Sequence, residues 1–97
     1  MKDMIIIGAG DFGREVAWLI EDINKRQMTY RVLGYLDDAN CVQGQTVHNY
    51  KVLGKIEFLK SLCDNNEVCC VIAMQDTIAR KLIVERLDWF SKCYHFR

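Results

Sequence analysis

The stretch Met4-Ile5-Ile6-Ile7-Gly8-Ala9-Gly10-Asp11-Phe12-Gly13 decides how the chain is read. Its first four residues form a continuous apolar, β-branched-rich run that stops at a glycine, the pattern of a strand buried on both faces. From Phe12 to about Asn24 the spacing turns helical, with Val16, Ile20 and Ile23 on one face and Arg14, Glu21, Asp22 and Lys25 left to water. Between strand and helix lies a G-x-G-x-x-G, the place where that pattern has a physical meaning. Gly8 permits the tight turn, Gly10 lets a phosphate-bearing ligand approach the backbone, and Gly13 lets the helix pack against the strand. Asp11 and Phe12 complete the turn. The helix N-terminus adds unpaired N–H groups and a partial positive charge that suit an anion. A glycine-rich turn selected only for close packing is the plainer alternative.

Working outward, Tyr30 to Leu36 is β-prone and apolar apart from Arg31, and ends in Asp37-Asp38. This closes a strand, helix, strand unit of the length a parallel crossover needs. Asp37 follows Gly13 by 24 residues, close to where a ribose-binding acid belongs in a dinucleotide fold. With no Arg or Lys beside it, the pair argues against a 2′-phosphate; a solvated strand end is the alternative. Ala39 to Tyr50 is polar, contains Gly44 and reads as a long loop with a short extended piece at Thr46 to His48. Val52-Leu53-Gly54 leads into a short helix at about Ile56 to Leu62, and Asn65-Asn66 turns the chain. Glu67 to Met74 is a third buried strand. Asp76 or Thr77 then caps a helix running through Ile78, Leu82, Ile83, Leu87 and Phe90. The expected fold is α/β, a small Rossmann-like three-layer domain with a short parallel sheet of order 2-1-3. In such a sheet ligands gather outside the carboxyl ends of the strands where the order reverses. Gln75 is expected to line that crevice, Asp76 to act as an N-cap, and Arg80 to pair with nearby acids or face water.

Ninety-seven residues make one domain, spanning 1–97. Thirteen basic against thirteen acidic residues leave a formal net charge of 0, without the basic footprint of a nucleic-acid or anionic-membrane partner. The longest apolar run, around Val68 to Met74, is too short to span a bilayer. Cys41, Cys63, Cys69, Cys70 and Cys93 are odd in number with no C-x-x-C spacing, and the N-terminus lacks a signal-peptide apolar region, which together point to a reducing cytoplasm. Adjacent Cys69 and Cys70 point to opposite faces of a strand, so they read as core thiols and no metal is expected. His48 and His95 have no Cys, Ser or acid at motif spacing, read as surface residues, and leave no catalytic residue to name. Trp18 and Trp89 are expected to be packing groups.

Taken in order, Ile5-Ile6-Ile7-Gly8-Ala9-Gly10-Asp11-Phe12-Gly13-Arg14-Glu15-Val16-Ala17, Leu33-Gly34-Tyr35-Leu36-Asp37-Asp38, Val52-Leu53-Gly54 and Val71-Ile72-Ala73-Met74-Gln75-Asp76 with Arg80 resemble the N-terminal domain of the NeuD/PglD-type sugar acyltransferases. These are bacterial enzymes that acetylate sialic acids or the amino groups of nucleotide sugars. The resemblance implies a Rossmann-like module that holds a UDP-sugar or related nucleotide-sugar, with contacts at Gly10, Asp11 and Phe12, at Asp37 and Asp38, and at Gln75. It implies no cofactor for this domain. In the family the acetyl-CoA site and the histidine base belong to a C-terminal left-handed β-helix, which has no counterpart in these residues. The domain is therefore expected to bind substrate without catalysing acetyl transfer by itself. Family members often carry glycine where Gln75 stands, so a side chain here intrudes on the pocket or replaces a backbone contact. Two other readings fit the residues: an NAD-binding module of an oxidoreductase or redox sensor, and a non-catalytic interaction module that self-associates through Trp89, Phe90, Tyr94 and Phe96.

Overall fold

The run of isoleucines forms the strand its composition dictates. In the computed structural model, which describes residues 1–62, 68–88 and 94–96 without the side chains of 86–88 and 94–96, β1 spans Lys2–Ile7 and buries Met4 through Ile7 completely. It is followed by α1 (Asp11–Arg26), β2 (Tyr30–Leu36), a 3₁₀ turn at Asn40–Val42, β3 (Thr46–Val47), β4 (Tyr50–Gly54), and a 3₁₀ turn at Ile56–Phe58 that runs into α2 (Leu59–Leu62). Then come β5 (Val68–Ile72), α3 (Thr77–Asp88) and β6 (Tyr94–Phe96). The expected turn at Asn65-Asn66, Cys63, Cys93, Trp89 and Phe90 lie outside the described residues, as do the side chains of Leu87, Tyr94, His95 and Phe96.

Among the described residues one sheet runs in the order β3-β4-β2-β1-β5-β6. Its centre, β2-β1-β5, is the 2-1-3 parallel triplet expected from the sequence. The extension on both sides is a correction. Val52-Leu53-Gly54 is the core of a fourth parallel strand, with Val52 paired to Tyr35 and Gly54 to Leu36. Thr46 and Val47 add an antiparallel edge to it, and β6 pairs parallel to β5. These pieces are too short to show a period of their own, so only pairing with a formed neighbour makes them strands.

Alternation along the strands builds two cores. Met4, Ile6, Tyr35, Val52 and Cys69 face α1 with Ala17 and Ile20, whereas Ile5, Ile7, Leu36 and Cys70 face Ile56, Leu59 and Ile83 on the other side. Cys69 and Cys70 thus lie on opposite faces, both buried. β2 keeps its phase through an irregularity between Val32 and Gly34, where the register with β1 skips Leu33. That extra residue puts Leu33 with the α2 and α3 core and Tyr35 with the α1 core, although strict alternation would place them together. At the far end of α1, the Asn24 side chain accepts from the Thr29 and Tyr30 N–H groups and donates to the Tyr30 carbonyl. One amide therefore ends the helix and starts β2.

The helical faces differ from expectation at several positions. On α1 Gly13, Ala17 and Ile20 are buried, while Ile23 is 45% exposed and Trp18, read as a packing group, is 56% exposed. Small residues let α1 sit close to the sheet, and close approach narrows the stripe it can bury. On α3 only Ile83 is buried among the described side chains, and Ile78 and Leu82 are 73% and 56% exposed.

Candidate functional site

Three loops leave the carboxyl ends of β1, β2 and β5 side by side, tied by backbone hydrogen bonds. The Gly8 N–H donates to the Leu36 carbonyl at 2.8 Å, the Ala73 N–H to the Ile7 carbonyl at 2.8 Å, and the Asp37 N–H to the Gly54 carbonyl at 3.0 Å. The first loop is the glycine turn. Gly8 has φ +109°, and a Cβ there would lie 2.7 Å from the Ala73 carbonyl oxygen. A Cβ on Gly13 would lie 2.1 Å from the Gly8 carbonyl oxygen. Both glycines are demanded by the chain itself.

Gly10 differs. Its φ of −82° and ψ of −162° are open to any residue, it is exposed, and a Cβ there meets nothing within 4 Å. It is the N-cap of α1, and no side chain caps that helix. The first-turn N–H groups at Asp11, Phe12 and Gly13 are accordingly left for a ligand or water. Asp11 is exposed beside them and Phe12 is half-buried against the α1 core.

Asp37 is brought directly to this turn. Its Oδ2 accepts from the Ala9 N–H at 2.9 Å and its Oδ1 from the Ala39 N–H at 2.9 Å. The carboxylate thus braces the glycine turn against its own loop, a link across 28 residues of sequence. Gln43, which sequence reading missed, adds to the brace: its Nε2 donates to the Asp37 carbonyl at 2.6 Å and the Ala39 carbonyl at 2.8 Å. A lone glutamine in a polar loop carries no signal that could have found it. Asp38 is exposed, and its Oδ1 accepts from the Ile56 N–H at 3.0 Å, so it also starts the turn before α2. In the third loop Gln75 is exposed. Asp76 is the N-cap expected, accepting from the Ile78 and Ala79 N–H groups at 2.9 and 3.2 Å. Arg80 corrects the sequence reading: instead of an acid, its Nη1 reaches back to the Ile72 carbonyl at 2.6 Å, satisfying an oxygen at the end of β5.

A second polar cluster lies on the flank of α1. His48 and Asn49, both at positive φ (41° and 70°), form the turn between β3 and β4. Glu21 grips that turn, bonded through Oε1 to His48 Nε2 and through Oε2 to the Tyr50 hydroxyl at 3.2 Å and Asn49 Nδ2 at 3.5 Å. Neither Glu21 nor His48 is the freely solvated residue expected; both are half-buried. An aspartate or glutamate is absent at short spacing from His48 because its partner comes from a helix 27 residues earlier. The His48 hydrogen bond, helped by Asn49 and Tyr50 and opposed by burial, holds the Glu21 carboxyl below its ordinary value of 4.5. A carboxyl whose pKa falls on folding stabilises the fold above its unfolded value and loses that contribution as pH drops through the folded one. The β3–β4 turn is therefore expected to loosen below about pH 4.5, seen as faster amide exchange at Asn49 and Tyr50 while the β1 amides stay protected.

Behind this cluster Tyr35 is fully buried, its ring edge-on to Tyr50 at 6.5 Å between centroids. Among the described residues the hydroxyl has no hydrogen-bond partner, and burial, with Tyr50 nearby, pushes its pKa up to about 12. Removing an unsatisfied buried hydroxyl leaves the rest of the ring packed. Tyr35→Phe is expected to be neutral or stabilising by about 1 kcal/mol, checked by the urea midpoint; a loss above that size would mean that the hydroxyl has a partner.

Among the described residues no helix is long and apolar enough to cross a membrane, and no group of three His, Cys, Asp or Glu side chains is placed to hold a metal ion. No curated protein matches the chain. Among solved structures the fold is similar to RSP, a Rex-family repressor, with a TM-score of 0.73 at 15% identity over 100% of this chain and 52% of that one. RSP in complex with β-NADH gives 0.72 at 14% identity, again over 100% of this chain and 52% of that one. UDP-D-quinovosamine 4-dehydrogenase from Vibrio fischeri gives 0.71 at 17% identity, over 98% of this chain and 75% of that one. The chain thus spans about half the length of the repressor, and the likeness establishes a Rossmann-like fold. The PglD N-terminal domain profile matches residues 3–87, nearly the whole chain and all three loops of the crevice, and the protein belongs to that family.

Proposed function

We infer that the domain is the substrate-binding part of a bacterial sugar acetyltransferase, holding a UDP-sugar or related nucleotide-sugar and leaving acetyl transfer to a domain outside these residues. Family membership supports the pathway, and the observation that carries the binding reading is Gly10. Two glycines of the turn are required by backbone packing; the third faces open space at an uncapped helix start, where a side chain would obstruct only a ligand. In this reading the diphosphate sits at the first-turn N–H groups of Asp11, Phe12 and Gly13. Asp37 fixes the turn that receives it, Asp38 and Gln75 face the nucleoside and sugar, and Gly8 sets the bend. Acetyl-CoA and the catalytic base belong to the remainder of the enzyme, and the odd cysteine count without C-x-x-C spacing suits a reducing cytoplasm.

A second reading has one observation in its favour: the similar repressor structure is a complex with β-NADH. A single mononucleotide half with one glycine turn serves either ligand. Isothermal titration with UDP, UDP-N-acetylglucosamine, CMP-sialic acid and NAD in parallel separates them. Binding of a uridine or cytidine nucleotide at least tenfold tighter than NAD is expected; preference for NAD would overturn the first reading in favour of the second.

A further inference from the structure

The polar solvent face of α1 is interrupted by large apolar side chains that a surface helix ordinarily buries. Trp18, Leu19 and Ile23 are 56%, 51% and 45% exposed. At about 100° per residue they share one outward arc with Glu15, Asp22 and Arg26. Beside Trp18 the surface sinks into an open cleft of about 480 Å³ lined by Arg14, Glu15, Trp18, Leu19 and His48. None of these residues takes part in the crevice at the strand ends.

We propose that this face docks a second copy of the chain, with two α1 helices packed antiparallel about a twofold axis passing between Ile20 and Glu21. Charge sets the register. That axis places Glu15 of each copy opposite Arg26 of the other, twice by symmetry, and Trp18 opposite Ile23. An axis at Ile20 would oppose Arg14 to Arg26, and an axis at Asp22 would oppose that carboxylate to itself; the chosen axis leaves Leu19 opposite Asp22, with the two Glu15–Arg26 pairs deciding for it. Both charges are available. Glu15 is exposed with no partner among the described residues, and Arg26 is 84% exposed and only loosely paired with Asp22 at 3.8 Å. The same face is self-complementary, as an isologous contact requires. One helix of 16 residues is about 24 Å long and covers less than the roughly 800 Å² per partner of a standard interface. The dimer is accordingly weak, reversible and dependent on protein concentration.

Sedimentation of the chain over a concentration series tests this, with circular dichroism confirming that each variant is folded; every altered residue is exposed. The parent is expected to shift from monomer to dimer. Glu15→Arg and Arg26→Glu should each weaken association about tenfold, since two attractive pairs become repulsive, and the double variant should restore it. Trp18→Glu should leave a monomer. A parent that is monomeric at every concentration, a dimer indifferent to Trp18→Glu, or a double variant as weak as the singles would each overturn the proposal. Indifference to Trp18→Glu would move the contact to another face, such as the aromatic C-terminal segment.

Discussion

Gly13→Ala is expected to cost more than about 4 kcal/mol of stability, whereas Gly10→Ala, three residues away, is expected to fold like the parent and bind its nucleotide at least tenfold more weakly. At Gly13 the new methyl would sit 2.1 Å from the Gly8 carbonyl oxygen and 3.0 Å from its carbon. Both atoms are backbone, so no rotamer relieves the overlap. Gly8 cannot retreat, because it is already pressed against the Ala73 carbonyl at the end of β5. The remaining relief is to lift α1 off the sheet, which strips burial from Ala17, Ile20 and Tyr35 on that face. Such a change belongs with the rare substitutions costing more than about 4 kcal/mol, set against a total stability of about 5–15 kcal/mol for a domain. Urea unfolding followed by circular dichroism checks it, and a Gly13→Ala midpoint equal to the parent's would refute the packing argument. For Gly10 the calculation reverses: ordinary dihedrals, no neighbour within 4 Å, and a loss of about 1 kcal/mol or less from a poorer cap. What the methyl occupies is the space above the helix start. Titration with a UDP-sugar is expected to show at least a tenfold loss, and unchanged affinity would place the pocket elsewhere.

This contrast marks how far the glycine motif could be read before the fold was known. The run ending at Gly8 and the helical spacing after it were enough to place β1, α1 and the turn between them, because strand and helix periods are local properties. The motif could not say which glycine answers to packing and which to a ligand; for Gly8 that depends on Ala73, just past a strand that arrives from far along the chain, and for Gly13 on where the folded turn puts the Gly8 carbonyl. The same limit explains the other misses. β4 was invisible in Val52-Leu53-Gly54 because its strand character comes from pairing with β2. His48 looked solvated because Glu21 is remote in sequence. Ile23 fits a broad apolar stripe, yet α1 buries the narrower one set by Gly13, Ala17 and Ile20, and Trp18, read as a packing group from the burial preference of aromatics, stands on the outward arc. Asp76 was legible as a cap because capping acts within three residues. What was legible was short-range; what was missed was pairing over distance.

Asp37 is where that distinction bears on function, and Asp37→Asn is the second change with a large expected effect. Position alone made it a candidate ribose acceptor, whereas in the proposed site it fixes the turn that receives the diphosphate. The structure adds that both of its oxygens accept backbone N–H groups, from Ala9 and Ala39, each at 2.9 Å. An asparagine has one acceptor oxygen and one amide donor, so one of the two N–H groups would then face another donor. Hydrogen bonds to a charged group contribute about 1.5–3 kcal/mol each, and the expected loss is about 2–3 kcal/mol of stability, or about 0.7–3 M in urea midpoint at a slope of about 1–3 kcal/mol/M. Binding separates the two roles of the residue. A brace on the glycine turn governs where the first-turn N–H groups of α1 stand, so its loss weakens pyrophosphate and UDP by the same factor. A ribose contact would be lost only for UDP. The expected result is a common factor for Asp37→Asn, because the Ala9 bond reaches the turn itself, and a larger loss for UDP than for pyrophosphate with Asp38→Asn, whose bond to Ile56 leads away from the turn. If Asp37→Asn spared pyrophosphate while weakening UDP, the carboxylate would be a nucleoside contact and the glycine turn would hold its shape through Gly8 and Gly13 alone.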